Sequence, residues 1–514
     1  MCTSFLKLDL IPIKNKERIK IKSLKIEIII NLLITLSIGI LTFIVNKYFA
    51  NYMGARELGL MRLFTQMIAY LSLAELGLGT ASAYALYKPL AEKNFKRINI
   101  VVSTIESIYK KVALFVLIVG LILNPIIPFF IKDNSLTKDI YLYWSLYVLN
   151  TSLSYGFAKY SILFTANQEF EIVRVIQGIS KIVSQGLQIL ILLEYQSFAG
   201  FISLLIIENI IQYVFYKKYY KKNYSYIKKV KEREKSISKD LMNLFWHKIG
   251  ALIVFNTDYI IISKFISLTM VGIYSSYIMI INIIGTLIGI VTNVITPKIG
   301  KFISKNNKEN IFELWKRVNI IFIFIGVIST YMTYKLINPF INLWLGKEYM
   351  LATMTVFLIM INLFIQSTRV IVEIFKNGCG FFSDIHLPII EGVINLILSL
   401  ILVYYIGING VIIGTIASNI IIILLIKPIL VFKVCFNEGW KSYLKILIEY
   451  LILGILAIYI SENLIIKFID MKELKTWIDW IEKSIKLLLI TTSVSFIIFS
   501  LNKEFRKNLK LVIK

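Results

Sequence analysis

Residues 54–92 read GARELGLMRLFTQMIAYLSLAELGLGTASAYALYKPLAE, a segment of membrane-spanning length that is not purely apolar. It carries Glu75 and four glycines. A carboxylate at bilayer depth is costly and is usually retained where it faces protein or water. The structural alternative is helix packing, in which small residues such as Gly79 let neighbouring backbones approach while Glu75 bonds a neighbour. Either way, the segment predicts a helix in the interior of a membrane protein.

The chain as a whole has the composition of a polytopic membrane protein. It has 514 residues, 57% of them hydrophobic, and its apolar residues come in blocks of the length that crosses a bilayer. We therefore predict an all-α fold with about fourteen transmembrane helices. The predicted spans are 26–46, 62–86, 112–131, 141–163, 172–193, 198–216, 242–263, 271–295, 318–338, 352–375, 387–406, 408–430, 443–461 and 484–501.

The basic charge is distributed in the pattern that orients membrane proteins. The formal net charge is +26, and its lysines concentrate in alternate loops while the intervening loops are short and nearly uncharged. This positive-inside pattern predicts that both termini are cytoplasmic, and it accounts for the charge without a nucleic-acid partner. The lysine-rich loops predicted to be inside are 87–111, 217–241, 296–317 and 427–442.

The spans divide into two six-helix lobes and a final helix pair. An even number of spans returns the chain to the same side, so both lobes enter the membrane in the same sense, as in transporters with parallel repeats. GARELGLMRLF at 54–64 has a counterpart in SLTMVGIYSSY at 267–277, each joining the first two spans of its lobe. The predicted parts are a basic cytoplasmic segment 1–25, an N-lobe 26–216, a polybasic linker 217–241 beside membrane lipid, a C-lobe 242–430, a helix pair 443–501 and a basic cytoplasmic tail 502–514.

The fifth predicted span carries a polar stripe at helical spacing. Its members recur every three or four residues and so share one face over about 21 Å, at a rise of about 1.5 Å per residue. Such a face must line water or a polar partner, and a seam against another helix is the structural alternative. The stripe consists of Arg174, Gln177, Lys181, Gln185 and Gln188.

Further ionisable residues lie in both lobes. The tenth span carries a second polar stripe at helical spacing, and two of its members can also pair with each other as i and i+4 neighbours. The stripe consists of Asn362, Gln366, Arg369 and Glu373, of which Arg369 and Glu373 are the possible pair. Single ionisable residues in other spans are Lys159, Glu208, Asp258 and Glu391, with His247 on the same face as Asp258. Polar faces in both lobes predict a central aqueous cavity.

These residue types indicate what the cavity handles. Cations suit an anionic cargo such as a phosphate or carboxylate, so Arg174, Gln177, Lys181, Gln185, Lys159 and Arg369 are the predicted cargo-binding residues. Buried carboxylates can carry a coupling proton or Na⁺, and we assign Glu75, Asp258, Glu373 and Glu391 as candidates. We expect no bound cofactor or metal, since the three cysteines are scattered and no P-loop or nucleophile elbow occurs.

Several segments, in order along the chain, resemble the Wzx-type polysaccharide flippases of the multidrug/oligosaccharidyl-lipid/polysaccharide (MOP) exporter superfamily. The most specific are LSLAELGLGTASAYALYKPLAEKN at 71–94 and GVINLILSLILVYYIGINGVIIGTIASN at 392–419. NTDYIIISKFISLTMVGIYSSYIMI at 256–280 and NPFINLWLGKEY at 338–349 are similar to later segments of the family. The similarity extends over residues 26–430.

The resemblance implies fourteen helices in two lobes that alternate access to a lumen. The implied location is a bacterial cytoplasmic membrane. The implied cargo is an undecaprenyl-pyrophosphate-linked oligosaccharide, exported by ion coupling for surface-polysaccharide synthesis alongside other assembly proteins. By matching helix rather than by motif, Arg174, Lys181 and Asp258 are the implied lumen charges. The chain is then a transporter and not an enzyme.

Two other functions stay open at this point. A cation-coupled multidrug exporter of the same superfamily would have an acidic and aromatic lumen, whereas the fifth span is cationic. A membrane glycosyltransferase or polymerase acting on lipid-linked sugars would generally need a large outer loop, and no predicted outer loop is that long.

Overall fold

The computed structural model is helical in all its regular elements, as the sequence predicts. It describes residues 15–72, 78–132, 139–233, 257–381, 383–384, 386–470 and 474–513. These residues form two compact units. The first unit comprises described residues within Met1–Met53, Leu71–Pro125 and Thr137–Trp246, and the second those within Gly54–Tyr70, Ile126–Leu136 and His247–Lys514.

The first helix, α1, differs from the sequence prediction. The first two spans were predicted to be separated by an outer loop, but α1 runs from Asn15 to Leu71 and is broken only at Gly54. Gly54 has φ +87°, a left-handed conformation that other residues rarely adopt. The segment after it, ARELGLMRL, is rich in strong helix formers, so the helix resumes at once.

Six further helices belong to the first unit. α6 packs against α7, and α3 against α4. The predicted span 141–163 is interrupted by a 3₁₀ turn at Tyr155–Phe157. The helices are α2 (Leu78–Ala91), α3 (Phe95–Ile122), α4 (Asp139–Ser154), α5 (Ala158–Ala166), α6 (Phe170–Glu194) and α7 (Phe198–Asn223).

Two of the longest helices of the second unit begin at well-formed caps. The Ser267 hydroxyl accepts the Met270 N–H at 3.1 Å, and Asn307 caps the next helix in the same way. The helices are α8 (Asp258–Phe265), α9 (Leu268–Ile303), α10 (Lys308–Trp344), α11 (Thr353–Gly378), α12 (His386–Ile406), α13 (Ile408–Asn419), α14 (Lys427–Val431), α15 (Trp440–Phe468), α16 (Trp477–Phe499) and α17 (Lys503–Ile513).

The predicted inner loop 427–442 is largely helical instead. α13 continues through the π-helical segment Ile420–Ile426 into α14, and then into a second π-helical segment, Phe432–Phe436. Pro428 follows Lys427 and lacks the N–H that an α-helical bond needs, which favours irregular helix here. Lys427 is therefore a buried residue inside a helix rather than a loop residue that orients the chain.

Nine helices within the described ranges are long and apolar enough to cross a membrane, or ten with the bent pair Phe95–Ile122 and Asn124–Phe130. The remaining predicted spans do not meet that standard for separate reasons. The span 242–263 lies mostly outside the described residues, and 62–86 does so in part. The first ten residues of α16 include four charged residues, Asp479, Glu482, Lys483 and Lys486. The protein is thus a multi-span membrane protein, and the count of fourteen stays a prediction.

Candidate functional site

A polar cavity of about 560 Å³ lies within the second unit, among otherwise apolar helices. Its volume is in the range of small-molecule binding pockets. α8, α9, α11, α12 and α13 line it, together with Gln66 from the end of α1. The other polar lining residues are Asp258, Tyr259, Tyr274, Asn282, Asn362, Gln366, Ser367, Glu391, Asn395, Thr415, Ser418 and Asn419.

Asp258 lies at the centre of an oxygen-rich group in this cavity. It is the first residue of α8, and its carboxylate lies beside the Tyr274 and Thr415 side chains. The Asn395 amide donates to the Thr415 hydroxyl at 2.8 Å. The Asn395 side-chain oxygen is buried and has no hydrogen-bond partner among the described residues. Carboxylate, amide and hydroxyl oxygens at one point suit a hard cation or a proton.

The cavity also holds the first half of the polar stripe on α11. The Asn419 amide donates to Asn362 at 2.6 Å and ties α13 to α11. The Arg369 guanidinium donates to Gln366 at 2.9 Å and interacts electrostatically with the buried Glu391. Arg369 thus has partners on its own helix and on α12, and its contact with cargo stays a prediction.

Glu373, from the second half of that stripe, belongs to a separate group of ion pairs. Lys376 binds Asp384 at 2.9 Å and Glu373 at 3.2 Å, while Lys427 pairs with Glu373 and lies 3.8 Å from Asp384. Asp384 and Lys427 are only 4% and 5% exposed. We call these four residues the ion network. It joins α11, the turn before α12 and α14, and Glu373 is the one member of the four that sequence reasoning assigned to a site.

In the first unit, the stripe on α6 splits into an open part and a packed part. Arg174 is exposed and lies 5.0 Å from the Phe170 ring, and Lys181 is 3.7 Å from Glu208. Gln177 bonds with the Tyr216 hydroxyl.

The lower glutamines of the stripe form the predicted alternative, a helix seam. The buried Gln185 amide donates to the Thr42 hydroxyl at 2.8 Å, and Gln188 donates to the Phe201 carbonyl at 3.4 Å. Gln185 therefore holds α6 against α1 and is not brought to an open surface.

Lys159 has an acidic partner that sequence reasoning also missed. Its ammonium lies 2.8 Å from Glu106, which also binds Lys110 at 2.8 Å. Glu106 falls in a predicted inner loop, but the structure places it in the middle of the helix α3. Recognising that the helix begins before the predicted span would have identified Glu106 as a residue of the helix bundle. The remaining predicted residues, Glu75 and His247, lie outside the described residues.

Comparisons with known proteins place this arrangement in a family. Residues 24–303, more than half of the chain, match the family model described as "Polysaccharide biosynthesis protein". No curated protein sequence matches the chain.

Solved structures of membrane transporters resemble the fold. "Lipid II flippase MurJ, inward closed conformation" has a TM-score of 0.64 at 18% identity, covering 91% of this chain and 99% of the other. An inward-facing multidrug resistance MATE family transporter of the MOP superfamily has a TM-score of 0.58 at 14% identity, covering 81% and 98%. At these identities the likeness concerns the fold alone. Taken with the family model, it shows that this chain belongs to the polysaccharide biosynthesis protein family and has the MOP-exporter fold that the resemblance predicted.

Proposed function

We propose that this protein is a flippase that moves an undecaprenyl-pyrophosphate-linked oligosaccharide across the bacterial cytoplasmic membrane for surface-polysaccharide assembly. The family match over residues 24–303 carries the proposal. The likeness to a lipid II flippase, whose fold covers nearly the whole chain, supports it. On this account both termini are cytoplasmic, and the protein transports its cargo without changing a covalent bond.

The cationic face of α6 is the proposed contact for the diphosphate. Arg174 is exposed, and Lys181 is held only loosely, since 3.7 Å from Glu208 is at the long end of ion-pair distances. Arginine donors suit phosphate oxygens, and a phosphate would displace the weak carboxylate contact. Lys159 is a weaker candidate because Glu106 already neutralises it.

The Asp258 group is the proposed coupling site for H⁺ or Na⁺. The carboxylate and the unpartnered Asn395 oxygen are acceptors with capacity for a cation or a proton. Transporters commonly place such sites where helix ends and polar side chains meet near mid-membrane. Glu391 lines the same cavity and is the second candidate, whereas the ion network already neutralises Glu373.

Depletion of the protein in its host tests the proposal. We expect lipid-linked repeat units to accumulate in the cytoplasmic leaflet while surface polymer falls, since synthesis continues without export. The wild-type gene should restore both, and a variant that inserts in the membrane but lacks Asp258 should restore neither. Normal surface polymer without accumulated lipid-linked repeat units would refute the proposal.

A multidrug exporter is the second candidate, and one observation favours it. The second-unit cavity carries Asp258, Glu391, Tyr259 and Tyr274, an acidic and aromatic lining that suits lipophilic cations. Growth in the presence of such cations discriminates the two functions. Resistance that depends on Asp258, without any effect on surface polymer, would favour drug export.

A further inference from the structure

Two stretches of similar sequence touch each other in the second unit. When 54–64 and 267–277 are aligned without a gap, Gly59 falls on Gly272 and Ala55 falls on Leu268. In the structure, the end of α1 crosses the start of α9 at this pair of glycines. We call this contact the glycine crossing.

The glycine crossing is a contact of backbone against backbone. A Cβ added to Gly59 would overlap the Leu268 carbonyl and lie 2.9 Å from the Gly272 nitrogen. A Cβ added to Gly272 would overlap the Ala55 carbonyl and lie 3.0 Å from the Gly59 nitrogen. Backbone atoms cannot move aside as a flexible side chain can, so only glycine fits at either position.

The contact is also reciprocal. Gly59 meets residue 268, and Gly272 meets residue 55, which is the equivalent of 268 in the alignment. Reciprocal contacts of this kind are the mark of a local two-fold axis. In the predicted topology both stretches follow the first span of their lobe, so the crossing lies on the extracytoplasmic side.

The same segment of α1 reaches the Asp258 group. Gln66 lines the cavity seven residues after Gly59, about 10 Å along a helix, and Tyr70 interacts electrostatically with Asp258. The Gln66 amide nitrogen and the Tyr70 hydroxyl are buried without hydrogen-bond partners among the described residues. At its other end the segment begins at Gly54, whose left-handed backbone interrupts the helix. One continuous stretch of helix thus links the break at Gly54, the glycine crossing and the cavity.

We propose that the glycine crossing is the extracytoplasmic closure of the transport pathway, and that the Asp258 group controls it through Gln66 and Tyr70. Gly59 and Gly272 are then positioning residues, because they let the helices meet and touch no cargo themselves. The inference rests on the proposed transport function. Close packing through small residues is a main source of helix association in membranes, so the crossing can hold the two helices together in a closed state.

Thiol labelling of the purified full chain in vesicles tests the closure without any cargo. The three native cysteines are replaced by alanine, and Asn282→Cys in the cavity serves as the probe for a membrane-impermeant maleimide added from the extracytoplasmic side. We expect Gly59→Ala and Gly272→Ala each to speed labelling about tenfold. Gly39→Ala is the matched control, because a Cβ at Gly39 meets nothing within 4 Å.

A second probe covers the case in which the alanine variants do not fold. Leu268→Cys keeps both glycines, and Leu268 is 1% exposed in the closed crossing. Its labelling should respond to Na⁺ concentration or pH in the otherwise native chain, and Gln66→Ala with Tyr70→Phe should abolish the response. The inference would be overturned if the glycine substitutions left labelling of the cavity probe unchanged and the ion left labelling of Leu268→Cys unchanged.

The outcomes separate this inference from the proposed function. Ion-dependent labelling in a protein that moves no lipid-linked oligosaccharide would support the proposed closure and refute the proposed cargo. Normal cargo transport with unaltered labelling in Gly59→Ala and Gly272→Ala would refute the closure and leave the flippase standing.

Discussion

The stripe on α6 and the stripe on α11 have the same helical spacing but different surroundings. On α6, Arg174 is exposed and Lys181 is loosely paired, so the first unit offers cations. On α11, Arg369 is held by its neighbours, and the adjoining cavity offers the acids Asp258 and Glu391. The comparison teaches that periodicity fixes which residues share a face, whereas the partner helices decide which charges remain available.

Breaking the ion network should have the largest effect, and on stability. Lys427→Met leaves Glu373 and the buried Asp384 short of a cation, which should cost about 3–5 kcal/mol of unfolding free energy. Thermal unfolding in detergent measures it. Adding Glu373→Gln should recover part of the loss, and a Lys427→Met protein as stable as wild type would contradict the network's structural role.

Neutralising Asp258 in the second-unit cavity should nearly abolish ion coupling with little effect on folding. We expect Asp258→Asn to lower ion-driven transport about 100-fold, because the neutral amide cannot exchange a proton or balance Na⁺. Transport under imposed H⁺ and Na⁺ gradients measures the loss and identifies the ion. Asp139→Asn, an exposed carboxylate at the start of α4, is the matched control. Undiminished coupling would move the ion site to Glu391 or Glu75.

Reversing the cations of the first unit should weaken cargo binding by a smaller factor. Arg174→Glu with Lys181→Glu should lower transport of lipid-linked oligosaccharide about tenfold, since the diphosphate then meets like charges. Initial rates against cargo concentration should show the change in apparent affinity. Lys221→Glu with Lys222→Glu, two exposed lysines near the end of α7, controls for the change in net charge. An equal loss of transport in the control would show that the α6 cations have no specific role in cargo binding.

The packed part of the α6 stripe should matter least. Gln188→Leu loses one interhelical hydrogen bond, worth about 0.6 kcal/mol within a membrane, and should leave transport nearly unchanged. Thermal unfolding and transport measured on the same preparation check both statements. A large loss of transport with unchanged stability would show that Gln188 takes part in transport and does not only hold the helices together.

Sequence reasoning succeeded where a signal is local. Block hydropathy predicted the all-α membrane fold, and the quoted segments predicted the family. The spacing on α11 correctly grouped Asn362 with Gln366, and both line the cavity.

The rest depended on contacts between distant residues. Glu106 neutralises Lys159 across 53 positions, and Lys427 meets Glu373 across 54, separations that no periodicity reports. The helix that replaces the predicted inner loop at Lys427 was missed because lysines in such segments usually face water. The alignment of 54–64 with 267–277 suggested a repeat, but it could not show that Gly59 and Gly272 meet.

Transport by the purified protein in sealed vesicles tests the central claim most directly. The vesicles hold undecaprenyl-pyrophosphate-linked oligosaccharide, and an impermeant sugar-modifying reagent reports which leaflet exposes the glycan. We predict that an H⁺ or Na⁺ gradient drives the glycan to the extracytoplasmic leaflet with the wild type, and that Asp258→Asn abolishes the movement. Glycan that stays in its original leaflet with the wild type, while a lipophilic cation is pumped in an Asp258-dependent manner, would contradict the account.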